Sequence, residues 1–317
     1  MTLYGLPMLQ IHMPHTTTLN TSAARQAALL PAGGVVTTAH HLSLDYIKHV
    51  TPQGAYYTVE GEGDAHIAGG RPIAPRISTD VQIPGAIAHG ALLVGGTFSD
   101  TVNFDPVVSR IVTEETYIET EPDFPSPAWE PAQIGAINRF LSIEGKAYAS
   151  LVIVPGQFRA TTNDHPTVGI QRLYTDLQFE VYHAPFTATD FIAPNIWNVR
   201  AISSTEALHF EVWVDDNAND PEDTGEVARV VVLYRYLDQP TWSKAELTYL
   251  GKNSAGIGIA EGNVAPITAA IEYFVQAVDD SGNVMLALDH GMPFTEVTSV
   301  ARPKPTIYLP LVLRGQP

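Results

Sequence analysis

Cysteine is absent from the 317 residues, which excludes disulfides, thiolate nucleophiles and cysteine-based zinc sites together. Charge is scarce: Asp, Glu, Lys and Arg make up 16% of the chain, against roughly 25% in an average soluble protein. The charge present is acidic, with 34 Asp and Glu facing 17 Lys and Arg, of which only five are lysines. A formal net charge of −17 repels a phosphate backbone and removes nucleic acid from the expected partners. No uninterrupted apolar run approaches the 18 or so residues of a membrane-spanning helix. The opening MTLYGLPMLQIHMP has no basic flank before Arg25 and is broken by Pro7 and Pro14, so it is a poor signal peptide. It reads as the start of a processed chain or the continuation of a longer one.

Catalytic spacings are missing too. There is no G-x-S-x-G elbow, and the eleven histidines form neither H-E-x-x-H nor H-x-H. His40 and His41 are adjacent with His49 nearby, but neighbours on a strand point to opposite faces, so surface or edge positions are expected for them. The dipeptides His89-Gly90 and His290-Gly291 each lie beside turn residues and read as structural. Paired carboxylates of the glycosidase kind have no such local spacing and stay open, with a non-catalytic chain as the leading expectation.

Hydrophobic residues reach 45%, enough for large cores, and 24 Pro with 24 Gly cut them into short runs. Helical spacing is confined to Thr21–Leu30, between a Thr21 N-cap and Pro31. Elsewhere the period is two. In His209–Val214, Phe210, Val212 and Val214 share one face while His209, Glu211 and Trp213 share the other. Arg229–Tyr236, Gln178–His183 and Glu272–Val278 alternate likewise, and the last runs into Asp279-Asp280-Ser281-Gly282-Asn283, a hairpin turn signal. Many short strands with regular turns predict an all-β fold of two tandem immunoglobulin-like β-sandwiches with few or no helices. The polar and proline-bearing stretch 184–194 marks the boundary. The expected division is an N-terminal apolar segment 1–20, a sandwich over 21–185, a second over 186–300 and an apolar tail 301–317. Asp123–Pro131 reads as a proline-rich crossing inside the first sandwich.

The distal order is Trp197, HFEVWV, VARVVVLYR, the Trp242 strand TWSKAELTYL and the closing EYFVQAVDDSGNVMLAL. It resembles the immunoglobulin-like modules appended to secreted bacterial peptidases. Proximally, Glu60–Pro84, then PSPAWEPAQIG, YASLVIVPGQFRA and GIQRLYTDLQFEVYH follow the order of a gingipain-type propeptide-like domain. Leu3-Tyr4-Gly5-Leu6-Pro7-Met8 is similar to the exit strand of a gingipain-type catalytic domain, with Leu6 where that family usually has Asp. The resemblance implies accessory β-domains of a secreted peptidase precursor. It does not bring the family's Cys–His dyad, because the chain has no cysteine and no alternating βαβ pattern.

Asp215–Glu226 packs six carboxylates and two asparagines into twelve residues with no basic residue. Asp215, Asn217, Asn219 and Asp220 approach the D-x-[DN]-x-[DN] spacing that wraps oxygens around Ca²⁺, with Asp216, Glu222 and Asp223 as further donors. Pro221 and the missing glycine exclude an EF-hand, and a solvated acidic loop accounts for the same composition. Trp213, beside His209 and Glu211, is the candidate for a carbohydrate platform, although a core tryptophan is the commoner use of such a residue. Trp197 and Trp242 are expected in the core or at the domain junction. The apolar ends, Leu3, Tyr4, Leu9 and Ile11 at one terminus and Ile307, Tyr308, Leu309, Leu311 and Leu313 at the other, are expected to complete a sheet by strand addition. The partner would be a caspase-like peptidase chain of the same precursor or identical subunits of a surface layer, sheath or filament. Either way the setting is secreted or at a bacterial cell surface.

Overall fold

The computed structural model describes residues 34–111, 122–141, 147–216, 226–253 and 257–297. The helix candidate Thr21–Leu30, both apolar ends, and Asn217, Asn219, Asp220, Glu222 and Asp223 lie outside these residues. Every regular element described is a strand, so the all-β expectation holds. No helix among the described residues is long and apolar enough to cross a membrane.

The first half contributes β1 (Val36–Ser43), β2 (Tyr46–Thr51), β3 (Gly54–Val59), β4 (Ala65–His66), β5 (Ala74–Pro75), β6 (Ile77–Asp80), β7 (Ala86–Phe104), β8 (Gly135–Leu141), β9 (Ala147–Ile153), β10 (Gly156–Ala160) and β11 (Gly169–Pro185). Antiparallel β1, β11 and β7 form its main sheet, with β10 alongside β11. The sheet β6-β9-β8 packs over this one. Leu151 and Ile153 from one layer meet Leu92, Leu177 and Phe179 from the other, all essentially sealed from solvent. The layers approach closely at Gly135, where a Cβ would sit 2.6 Å from the Phe179 ring. The long β7 and β11 stay paired over their length through four register shifts, which let two twisted strands bend without parting.

The second half contributes β12 (Asn195–Ser203), β13 (Leu208–Asp215), β14 (Val227–Tyr236), β15 (Thr241–Lys252), β16 (Gly258–Val264), β17 (Ile271–Asp279), β18 (Val284–Ala287) and β19 (Phe294–Glu296). Strands β12-β13-β16-β15 make one sheet, and β15-β14-β17-β18 the other, with β19 also against β17. Strand β15 belongs to both, pairing with β14 through Ser243–Leu247 and then with β16 from Thr248. This is the A-B-E-D against C-F-G order of an immunoglobulin-type sandwich. Phe210, Val212, Val214, Val230, Val232 and Val275 fill its interior.

Period two in Glu272–Val278 predicts one buried face, yet all nine residues of β17 are buried. The reason is a third layer. Tyr273, Val275 and Ala277 face the distal core, while Phe274 and Val278, with Val231 and Leu233 of β14, join the proximal core against β7. Each such apolar side chain withdrawn from water stabilises the seam by about 1.5–3 kcal/mol. Between Phe274 and Val278, Gln276 closes the seam with two hydrogen bonds. Its Oε1 accepts from the Leu93 N–H at 3.0 Å, and its Nε2 donates to the Leu93 carbonyl at 2.7 Å. A buried amide thus stands in for a neighbouring strand. Strand pairing crosses the seam outright at Thr241–Thr97 and Trp242–Gly96. Trp242 is buried there, edge-on to Phe274, as expected for a junction tryptophan. Trp197 is not in the core: it is 54% exposed, beside the register shift between Ile196 and Asn198 on β12. A one-residue shift changes which face a side chain takes, which alternation alone does not reveal.

Candidate metal-binding sites

Three separate segments converge where the crossing 186–194 passes the end of the distal sandwich. They bring together Asp190 of the crossing, Asp216 just beyond β13 and Asp279 at the end of β17, with one carboxylate oxygen from each within 4.8 Å of the others. Asp216 and Asp279 are buried and Asp190 is partly so. The tight turn after β17 shapes this corner. The N–H groups of Ser281 and Asn283 donate to Asp279 Oδ1 at 3.0 and 2.7 Å, and Gly282 supplies the left-handed residue at φ +86°. The Asn283 side-chain N–H donates to Asp279 Oδ2 at 2.9 Å and reaches Asp190 Oδ2 at 3.3 Å. Asp190 in turn accepts the Ile192 N–H at 2.9 Å, which bends the crossing locally.

Burial, and secondarily the charges of Asp190 and Asp280, push the Asp279 carboxyl up to about 7 despite the bonds from Asn283. His89 lies against the same corner, 5% exposed and stacked on Phe191 at 4.6 Å between ring centroids. Its pKa is lowered, by burial first and by the Arg139 charge second. The acidic run therefore divides at its first two residues. Asp216 joins Asp190 and Asp279, whereas Asp215 turns to an ion pair with Lys252 at 2.9 Å. An all-oxygen set of this kind suits a hard cation such as Ca²⁺. Asp190 and Asp279 escape a reading by spacing because the three aspartates are far apart in sequence.

A second constellation lies on the outer face of β12-β13-β16-β15. Alternation puts His209, Glu211 and Trp213 on one face of β13, and the register sets them opposite Asn263, Glu261 and Ile259 of β16. His209, Glu211 and Glu261, all partly buried, each place one ligand-type atom within 4.8 Å of the others. His209 Nδ1 lies 2.9 Å from Asn263 Oδ1, while Glu211 Oε1 accepts from Trp213 Nε1 at 3.0 Å and from Arg200 at 3.3 Å. Trp213 is thus half-buried with its indole N–H engaged, in contrast to a bare aromatic platform. The His-x-Glu spacing was visible in sequence, but Glu261 reaches it only through the β13–β16 pairing.

The seam carries the third polar cluster. Arg172 is 3% exposed and donates two hydrogen bonds to Asp100, both at 2.9 Å. Glu272 accepts from Arg235 at 2.6 Å and lies 3.5 Å from Arg172. Both guanidiniums lie against the Phe98 ring, Arg172 at 3.7 Å and Arg235 at 4.7 Å from its centroid. The cavity beside them, lined by Leu93, Trp129, Gln157, Trp242 and Gln276 among others, measures about 50 Å³. That admits water and no organic ligand of ordinary size.

No family model and no curated protein matches the chain. Among solved structures, the complex of Porphyromonas gingivalis RgpB pro- and mature domains is similar at 15% identity and a TM-score of 0.35. The likeness covers 54% of this chain and 90% of that one, and a similarity of this size assigns neither family nor activity.

Proposed function

We propose that this chain is a non-catalytic, secreted β-sandwich module that docks a protein partner, as the accessory region of a gingipain-type peptidase precursor. The observation that carries the reading is the seam. Strand β17 is buried on both faces and Gln276 clasps Leu93, so the two sandwiches share one packed, hydrogen-bonded seam. A preorganised surface avoids the ordering cost that a hinged pair carries on binding. On that surface β12 pairs with β13 alone among the described strands, and its Trp197 and Ile202 are exposed. An open edge flanked by large apolar side chains accepts an extended segment by strand addition.

Support from the sequence is the gingipain-type order of motifs across most of the chain, without the dyad that cuts peptides. Calcium enters this reading as the brace of the crossing, held by Asp190, Asp216 and Asp279. Native mass spectrometry of the endogenous protein, with cross-links mapped to β12, tests the docking. A co-purifying caspase-like chain cross-linked beside Trp197 is the expected result. Ladders of identical subunits joined through β12 would replace it with the surface-layer or filament reading, because the same edge serves strand exchange between copies.

A further inference from the structure

We propose that His209, Glu211 and Glu261 form a binding site for a divalent transition metal of the Zn²⁺ class on the outer face of the distal sandwich. The starting point is an unfavourable arrangement. Glu211 and Glu261 are direct partners in the β13–β16 register, and like charges directly opposite on one face destabilise a sheet. Arg200, the partner of Glu211 on β12, offsets part of that repulsion through an exposed contact of 3.3 Å. Glu261 faces Thr248 on its other side, which brings no charge. The row Arg200, Glu211, Glu261, Thr248 therefore has two carboxylates and one cation, and His209 stands one row away on the same face.

The donor set then selects the ion. One imidazole and two carboxylates with converging ligand atoms match the mixed nitrogen and oxygen shells of Zn²⁺, whereas Ca²⁺ takes oxygen alone. The supporting contacts are those that orient metal ligands. Asn263 Oδ1 accepts the His209 Nδ1–H, which leaves Nε2 as the ring nitrogen with a lone pair. The Trp213 indole donates to Glu211 Oε1 and fixes that carboxylate on the sheet. Three protein ligands leave a fourth position for water or a group from a partner. The site lies on the sheet away from the seam, and metal binding by these side chains does not require the docking proposal.

The test uses the full chain stripped with a chelator, titrated calorimetrically with Zn²⁺ alone, and repeated with Co²⁺ to read its visible absorption. The expected result is one equivalent bound, with a Co²⁺ band typical of a low-coordinate nitrogen–oxygen site. H209A and E261Q are expected to weaken binding at least tenfold each, with unchanged circular dichroism. R200Q is expected to tighten it severalfold, since the cation competing for Glu211 is removed; a merely structural role for these residues would not produce that gain. D279N, in the other carboxylate cluster, is expected to leave Zn²⁺ affinity as it was. Binding below a tenth of an equivalent, wild-type affinity retained in H209A and E261Q, or a loss confined to D279N would each overturn the proposal.

Discussion

Replacing Asp279 with Asn is expected to change how stability depends on pH, and the sign follows from the corner in which the carboxyl sits. Its pKa rises from 3.8 to about 7 in the fold, with burial as the main cause. The protonated form is favoured by folding, so between these values the native chain holds a proton that the unfolded chain has lost. Stability from this group is fully present below pH about 4 and is lost as pH rises through about 7. The gap from 3.8 to about 7 is about three units, and at about 1.4 kcal/mol per unit the ceiling is about 4 kcal/mol.

His183 obscures this in the wild type, because it runs the other way. It is fully buried, and burial, followed by the charges of His40 and His89, lowers its pKa from 6.5 to about 4. Over that window the unfolded chain binds the extra proton, so stability rises with pH by up to about 3 kcal/mol. The two slopes nearly cancel, and only differences against variants separate them. Urea unfolding followed by tryptophan fluorescence, in EDTA and at steps from pH 4 to 8, supplies those differences. The advantage of wild type over Asp279→Asn is expected to shrink by about 3–4 kcal/mol across the range, whereas its advantage over His183→Gln grows. A wild-type minus Asp279→Asn difference that stays flat would refute the argument. Millimolar Ca²⁺ adds a second arm: a bound cation requires ionised Asp279, so the slope between pH 5 and 8 should reverse. An unchanged slope would remove Ca²⁺ from this triad.

Three further substitutions probe the seam and the proximal core. Gln276→Leu keeps the volume but leaves the Leu93 N–H and C=O without their partner, for an expected loss of about 2–5 kcal/mol in chemical denaturation. Glu272→Gln leaves the buried Arg235 guanidinium without its carboxylate beside Phe98, at an expected cost of about 3–5 kcal/mol, read as a fall in thermal midpoint. Gly135→Ala drives a methyl into the Phe179 ring and is expected to lose about 1–3 kcal/mol; adding Phe179→Leu should recover part of it, and no recovery would mean the clash lies elsewhere.

Much of the fold was legible in the alternation itself. His209–Val214 and Arg229–Tyr236 are strands at the expected positions, and Asp279–Asn283 is the turn that its Asp, Ser, Gly and Asn predict. These signals are local, because a strand's alternation records which face meets a core, and a turn's residues record its backbone angles. The seam left no such record. Glu272–Val278 alternates Phe and Gln on the face that predicts water, and a second layer covers it. A glutamine bonded at both ends of its amide reads in sequence as a solvent-facing polar residue. Trp197 failed for a related reason, since one inserted residue at Ile196–Asn198 turned it outward.

The candidate sites divide along the same line. Density of carboxylates drew attention to Asp215–Glu226, but a cation needs oxygens that meet in space, and crowding in sequence does not ensure this. Asp215 and Asp216 are neighbours yet lie in different environments, one against Lys252 and one against Asp190 and Asp279. His209 and Glu211 lay two residues apart on a recognisable face, and lacked only the strand that carries Glu261. Each set is completed by a residue that the Greek-key order delivers from a different strand or crossing. The face of a strand follows from its own residues, but the partner opposite that face follows from topology. A two-residue clue on an outward face of an all-β chain is therefore best followed across the sheet, to the residue its register sets opposite.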